Sequence, residues 1–117
     1  MGCVRPPSHP PRQVLTLPDV LHALSDPVRL AIVAVLSDGH EHACAVFDFG
    51  LSRASMSHHF RVLREAGVTW TRPDGKHRFI RLRRADLDAR FPGLMASLIS
   101  LAHAERSRLP APAGSWT

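Results

Sequence analysis

The sequence predicts a mainly α-helical domain with one small β-hairpin, an α+β fold, and three observations predict it. The segments "SDPVRLAIVAVLSDG" and "LSRASMSHHFRVLREAG" carry apolar residues at helical spacing behind residues able to cap a helix. A third segment, "VTWTRPDGKHRFIRLR", switches to alternation around a Pro-Asp-Gly turn. The third observation is length: 117 residues make one domain with a modest core.

The elements follow in order. Residues 1–16 begin "MGCVRPPSHPPRQ", a proline-rich stretch expected to be a flexible arm. It has no apolar h-region and is not a secretory signal. "LPDVLHALSD" reads as a short helix, with Pro18 in its first turn and Val20, Leu21 and Leu24 at apolar spacing. In the next helix Asp26 is the cap and Pro27 the first residue, where a missing N–H costs nothing. Val28, Leu30, Ala31, Ile32, Val33, Val35 and Leu36 make it apolar almost all round, so it belongs at the centre of a core. Gly39 ends it. "HEHACAVFDFG" is a short helix at best, with Val46, Phe47 and Phe49 expected to face inward and Gly50 as the turn.

Ser52 caps the following helix. Met56, Phe60 and Leu63 stand at i, i+4 and i+7 and define its buried face, leaving His58 and Arg61 on the opposite side. Pro73-Asp74-Gly75 then turns a hairpin, with Lys76, His77 and Arg78 just after its tip. "PGLMASLISLAHAER" closes the domain as a helix carrying Leu94, Leu98, Ile99 and Leu101, with little chain left to cover it. Residues 17–106 form the folded domain in this reading, and residues 107–117 a flexible tail.

Charge narrows the function. The chain carries +5, with a pI near 10.9, which favours an anionic partner. Residues 51–84 hold nine Lys/Arg against Glu65 and Asp74, a net +7, while the remainder sums to −2. The positive charge therefore belongs to one contiguous third of the chain. A short helix, a glycine turn and a helix with small polar residues at its front make a helix-turn-helix, whose second helix enters the DNA major groove. A basic hairpin directly after it is the wing of a winged helix. Arg53, Ser55, Ser57 and His58 are the candidates for base reading, and Arg61, Arg64, Lys76, His77 and Arg78 for positioning the DNA backbone. The bland alternative is an amphipathic surface helix followed by a solvated strand edge.

Taken together, Asp26-Pro27-Val28-Arg29-Leu30, Ser57-His58-His59 and the stretch from Val62 to Gly67 resemble the ArsR/SmtB family of bacterial winged-helix repressors. The resemblance spans residues 17–109. It implies a homodimer joined through the first and last helices, one recognition helix per half-site, and an imperfect palindrome of double-stranded DNA as the target. A partner subunit would also cover the closing helix.

The resemblance raises the question of metal sensing. The family's thiolate site is a Cys-x-Cys pair on the first helix of the motif. Here His42 and Cys44 stand as His-x-Cys, a pair that suits zinc, nickel or cobalt. Cys3, His9 and His40 would complete a site if the arm folds back. The family's other site, on the last helix, is not supported: Asp86-x-Asp88 stands where Asp-x-His is needed. A transition metal, nickel or zinc, is thus the candidate cofactor. The alternatives are redox chemistry at Cys44, a small-molecule effector, or none, and a buried structural Cys44 is the simplest reading.

Other classes fare worse. Nothing marks an oxyanion hole or a Gly-rich phosphate loop, so an enzyme is not expected. No apolar run approaches the roughly 18 residues of a membrane span. Cys3 and Cys44 make no disulfide framework, and a cytoplasmic protein is the expectation. A non-specific architectural DNA binder would use charge alone. Short hydroxyls at the front of the recognition helix argue instead for close approach to bases.

Overall fold

The two caps read from the sequence organise the helical half of the protein. The computed structural model describes residues 8–111. Helix α1 (Leu17–Leu24) starts behind Thr16, whose hydroxyl accepts the Asp19 N–H at 3.3 Å. The Asp26 carboxylate accepts the N–H groups of Val28 and Arg29 at 2.8 and 3.1 Å and so opens α2 (Pro27–Leu36). Ala31, Ile32, Val33, Ala34 and Leu36 are all buried, which makes α2 the central rod of the core. Helix α3 (Arg53–Glu65) starts behind Ser52, whose Oγ accepts the Ser55 N–H at 3.1 Å. Leu63 and Met56 are buried and Phe60 is half-buried, so the expected face turns inward.

Gly67 stops α3 with φ +83°, donating to the Arg64 carbonyl while Val68 N–H reaches Leu63. A Cβ at this position would sit 2.0 Å from Leu15 Cδ2. The glycine is therefore required twice, by its backbone angle and by the close approach of Leu15.

Strands β2 (Thr69–Asp74) and β3 (His77–Leu82) form the expected hairpin, with Asp74 opposite His77. The sheet has a third strand that the sequence did not suggest. Only the end of the short helix expected here forms, as a single 3-10 turn (Cys44–Val46); before it β1 (His42–Ala43) pairs antiparallel with β3, His42 opposite Ile80. The order is β1-β3-β2. The physical reason is β3's second edge, whose unpaired backbone groups are satisfied by β1. Of the three residues expected inside, Phe47 is buried and Phe49 half-buried, but Val46 is 50% exposed.

Helices α4 (Arg84–Arg90) and α5 (Leu94–Ala104) complete the chain, with Leu87 and Met95 fully buried. The proline-rich arm was expected to be flexible through residue 16, yet residues 8–16 lie against the domain. Leu15 is buried in the core, His9 Nε2 accepts the Thr71 N–H at 2.9 Å on the free edge of β2, and Arg83 donates to the Pro10 carbonyl at 2.8 Å. An extended proline-rich segment suits the edge of a strand, because it covers the edge without competing for its ladder. At the other end, Arg106–Arg108 forms a 3-10 turn and Leu109 is half-buried. The expectations for residues 1–7 and 112–117 lie outside the described residues.

Candidate nucleic-acid interface

The first turn of α3 presents its polar residues outward because Met56 and Leu63 hold the opposite face in the core. Arg53, Ser55, Ser57, His58 and Arg61 are all exposed. Ser52 Oγ donates to Ser55 Oγ at 3.1 Å, so Ser55 keeps its own hydroxyl proton for an outside acceptor. The next residue along, His59, turns inward and fixes the helix. Arg29, 7% exposed, donates to the Ala23 carbonyl at 2.7 Å and lies 3.2 Å from His59 Nδ1. An arginine only donates, so Nδ1 is the acceptor and His59 is neutral. Burial holds the His59 pKa below its usual value, with Arg29 and His58 adding to the effect and Asp26 opposing it.

The hairpin tip carries Lys76, His77 and Arg78, all exposed. Its base is stiffened by Arg72, which bonds Glu41 through two nitrogens at 3.0 and 2.8 Å and lies 4.7 Å over the Phe79 ring. An open cleft of about 770 Å³ separates the hairpin from α3. Arg53, Ser57 and Arg64 line it from the helix, and Lys76, His77 and Arg78 from the hairpin. Six of the nine candidate residues are thus brought together, while Ser55, His58 and Arg61 stay outside the cleft.

Among the described residues, no carboxylate lies within 4.0 Å of Arg53, Arg61, Arg64, Lys76 or Arg78. Arg12, Arg83 and Arg84 each have one, and Arg72 has two. The cations of α3 and the hairpin tip thus have no carboxylate partner among the described residues. Two features of the cleft were not legible in the sequence. Thr71, 7% exposed, lines it, and among the described residues neither its Oγ1 nor the buried Arg64 Nε has a hydrogen-bond partner.

The candidate metal ligands do not come together. His42 Nε2 is 2.8 Å from Asp38 Oδ2, and its ring meets Phe47 edge-on. His40 is exposed, with its backbone N–H on Asp38. His9 uses Nε2 on the edge of β2. Burial pushes the Cys44 thiol up to about 11, with Arg78 opposing that shift. Such a thiol is a poor nucleophile at neutral pH. Cys3 lies outside the described residues. Among the described residues no three of His, Cys, Asp and Glu converge, so His9, His40, His42 and Cys44 do not by themselves supply the three or more ligands of a metal site. On the last helices, Asp86 binds Arg12 and Arg83, and Asp88 binds Arg84. No helix among the described residues is long and apolar enough to cross a membrane.

Comparison with known proteins agrees with this geometry. A profile described as "Bacterial regulatory protein, arsR family" matches residues 26–68, from the cap of α2 to the start of the hairpin. The chain is 35% identical over 82 residues to the HTH-type transcriptional regulator YceK of Bacillus subtilis, covering 68% of this chain and 82% of that protein. It is 37% identical over 73 residues to the arsenical resistance operon repressor of Staphylococcus aureus, covering 62% and 70%. Among solved structures, the transcriptional repressor BigR from Xylella fastidiosa superposes with a TM-score of 0.57 at 30% identity, covering 75% of this chain and 83% of that one.

Proposed function

Because the chain belongs to the ArsR family of bacterial regulatory proteins, DNA-binding transcriptional regulators and not enzymes, we propose that it is a repressor that grips a palindromic operator as a homodimer. The observation that carries this is the set of cations on α3 and the hairpin tip with no carboxylate beside them among the described residues. Arg53, Ser55, Ser57 and His58 face the bases at the front of α3. Arg61, Arg64, Lys76, His77 and Arg78 take backbone phosphates on either side. The homodimer is supported by apolar side chains exposed on α1 and α5, where Leu17, Leu21 and Leu101 are 41%, 44% and 61% exposed. A second copy would cover them in a two-fold contact. Repression is supported by the relatives in Staphylococcus aureus and Xylella fastidiosa, both named as repressors. Nickel or zinc is left out of this reading, since His42 is engaged by Asp38 and the described residues bring no three ligands together.

Fluorescence anisotropy tests the proposal with DNA from upstream of the gene and with scrambled DNA, at matched salt. The expected result is tight binding to the upstream DNA alone, as two chains per site, unchanged by nickel or zinc. Equal affinity for both DNAs would overturn the specific regulator. Release by one metal, abolished in Cys44→Ser, would restore the metal sensor.

A further inference from the structure

We propose that the cleft between the 3-10 turn, α3 and the hairpin is a binding site for a small amphipathic organic anion, an apolar body carrying one carboxylate, sulfonate or phosphate, and that this ligand and duplex DNA exclude one another. The exclusion rests on the DNA-binding reading above. The binding itself does not.

Size comes first. A cleft of about 770 Å³ lies within the roughly 300–1,000 Å³ usual for small-molecule sites. Its lining has two characters. Phe47, Met56 and Phe60 supply apolar surface, and Leu51 adds a side chain that is 41% exposed. Arg53, Arg64, Lys76 and Arg78 supply positive charge. A DNA phosphate needs only the cations. An apolar wall beside them suits a ligand with an apolar body and a charged end. Asp48 is the one carboxylate in the lining, and it accepts the Gly50 N–H at 3.0 Å. Four cations outnumber it.

The orphaned polar groups point the same way. Among the described residues Thr71 Oγ1 and Arg64 Nε are buried without a partner and both residues line this cleft, while Thr69 Oγ1, also without one, lies outside its lining. Buried polar groups are normally satisfied, and an exception in a cleft marks a place where a ligand or an ordered water supplies the missing bond. A carboxylate, sulfonate or phosphate offers acceptors to both once the two side chains turn toward the cleft. Arg64, Lys76 and Arg78 are assigned to DNA phosphates and Arg53 to the bases, so one anion displaces the other by competition for them.

The test uses the full chain at fixed ionic strength, with 8-anilinonaphthalene-1-sulfonate as the probe and neutral N-phenyl-1-naphthylamine as its uncharged counterpart. Saturable fluorescence enhancement is expected at one site per chain, with the neutral probe bound about tenfold more weakly or worse. Arg64→Gln and Leu51→Asp should each weaken the sulfonate by about tenfold. Arg106→Gln, which removes the same charge from an exposed turn outside the cleft, should leave it unchanged. Leu51 is exposed enough for its variant to fold, and circular dichroism confirms the fold of both. Upstream duplex DNA should displace the sulfonate stoichiometrically. Equal binding of both probes, indifference to both cleft variants, or simultaneous binding of probe and DNA would each overturn the proposal. If no DNA binds at all, the regulator reading and the exclusion fail together, while the variant series still decides whether the cleft takes the anion.

Discussion

Arg78 and Arg83 are five residues apart and have opposite fates. Arg78 stands exposed at the hairpin tip with no carboxylate beside it among the described residues. Arg83 is 2% exposed, bonds Asp86 at 3.0 Å and the Pro10 carbonyl at 2.8 Å, and stacks 3.9 Å over Trp70. The difference shows how to tell a structural cation from a functional one in this chain. A buried guanidinium is tolerable only when its donors are satisfied and a counter-charge is near. A surface cation costs little to leave alone, and clustering several of them makes sense only if an anion arrives from outside. Arg83 thus clamps the N-terminal strap and α4 to the sheet, while Arg78 waits for a ligand.

The largest expected effect comes from breaking the structural side. Arg83→Ala leaves the Pro10 carbonyl without its donor and Asp86 with Arg12 alone, and should cost about 3 kcal/mol in denaturant unfolding. A loss below about 1 kcal/mol would mean the clamp is incidental. Gly67→Ala tests the same strap from the helix side. It forces a positive φ on a residue with a Cβ and drives that Cβ into Leu15, so thermal melts should show about 2–3 kcal/mol lost. A neutral outcome would show that Leu15 is free to move away.

On the functional side, Ser57→Ala should leave melting unchanged and relax discrimination at one base pair by about 1–3 kcal/mol, measured with a panel of mutated operators. Equal losses on every sequence would reassign Ser57 to the backbone.

The smallest effect is in pH. Burial holds the pKa values of His9 and His59 below the usual value, helped at His9 by Arg64 and Arg83. The unfolded chain binds those protons more readily. The contribution to stability is therefore complete above the unfolded value of about 6.5 and is lost as pH falls through the folded values. Melts at pH 7.5 and 5.5 should show a lower midpoint in acid, and His9→Gln should reduce the difference. A midpoint that rises in acid would contradict the neutral assignment of both rings.

What could be read in the sequence was local. Asp26-Pro27 and Ser52 announced their helices because a cap acts within three residues, and Pro73-Asp74-Gly75 announced its turn for the same reason. Strand β1 was missed because it exists only through His42 and Ala43 meeting Ile80 and Phe79 far along the chain. Helix α4 was missed because Arg83 at its cap makes no capping bond, and ion pairs to Arg12 and within the helix support it instead. The strap was misread because prolines signal an extended chain without saying what it lies on. At the site, the basic cluster was legible from charge alone. The cleft was not, because Cys44, Arg64, Thr71 and Arg78 become neighbours only in the folded protein.

The central claim is that the unpaired cations of α3 and the hairpin tip grip DNA phosphates. The most direct measurement is the slope of log K against log salt for upstream DNA, in the wild type and in Arg78→Ala. The account predicts a slope shallower by about one per subunit, with operator preference intact and unfolding free energy within about 0.5 kcal/mol of the wild type. An unchanged slope would contradict it.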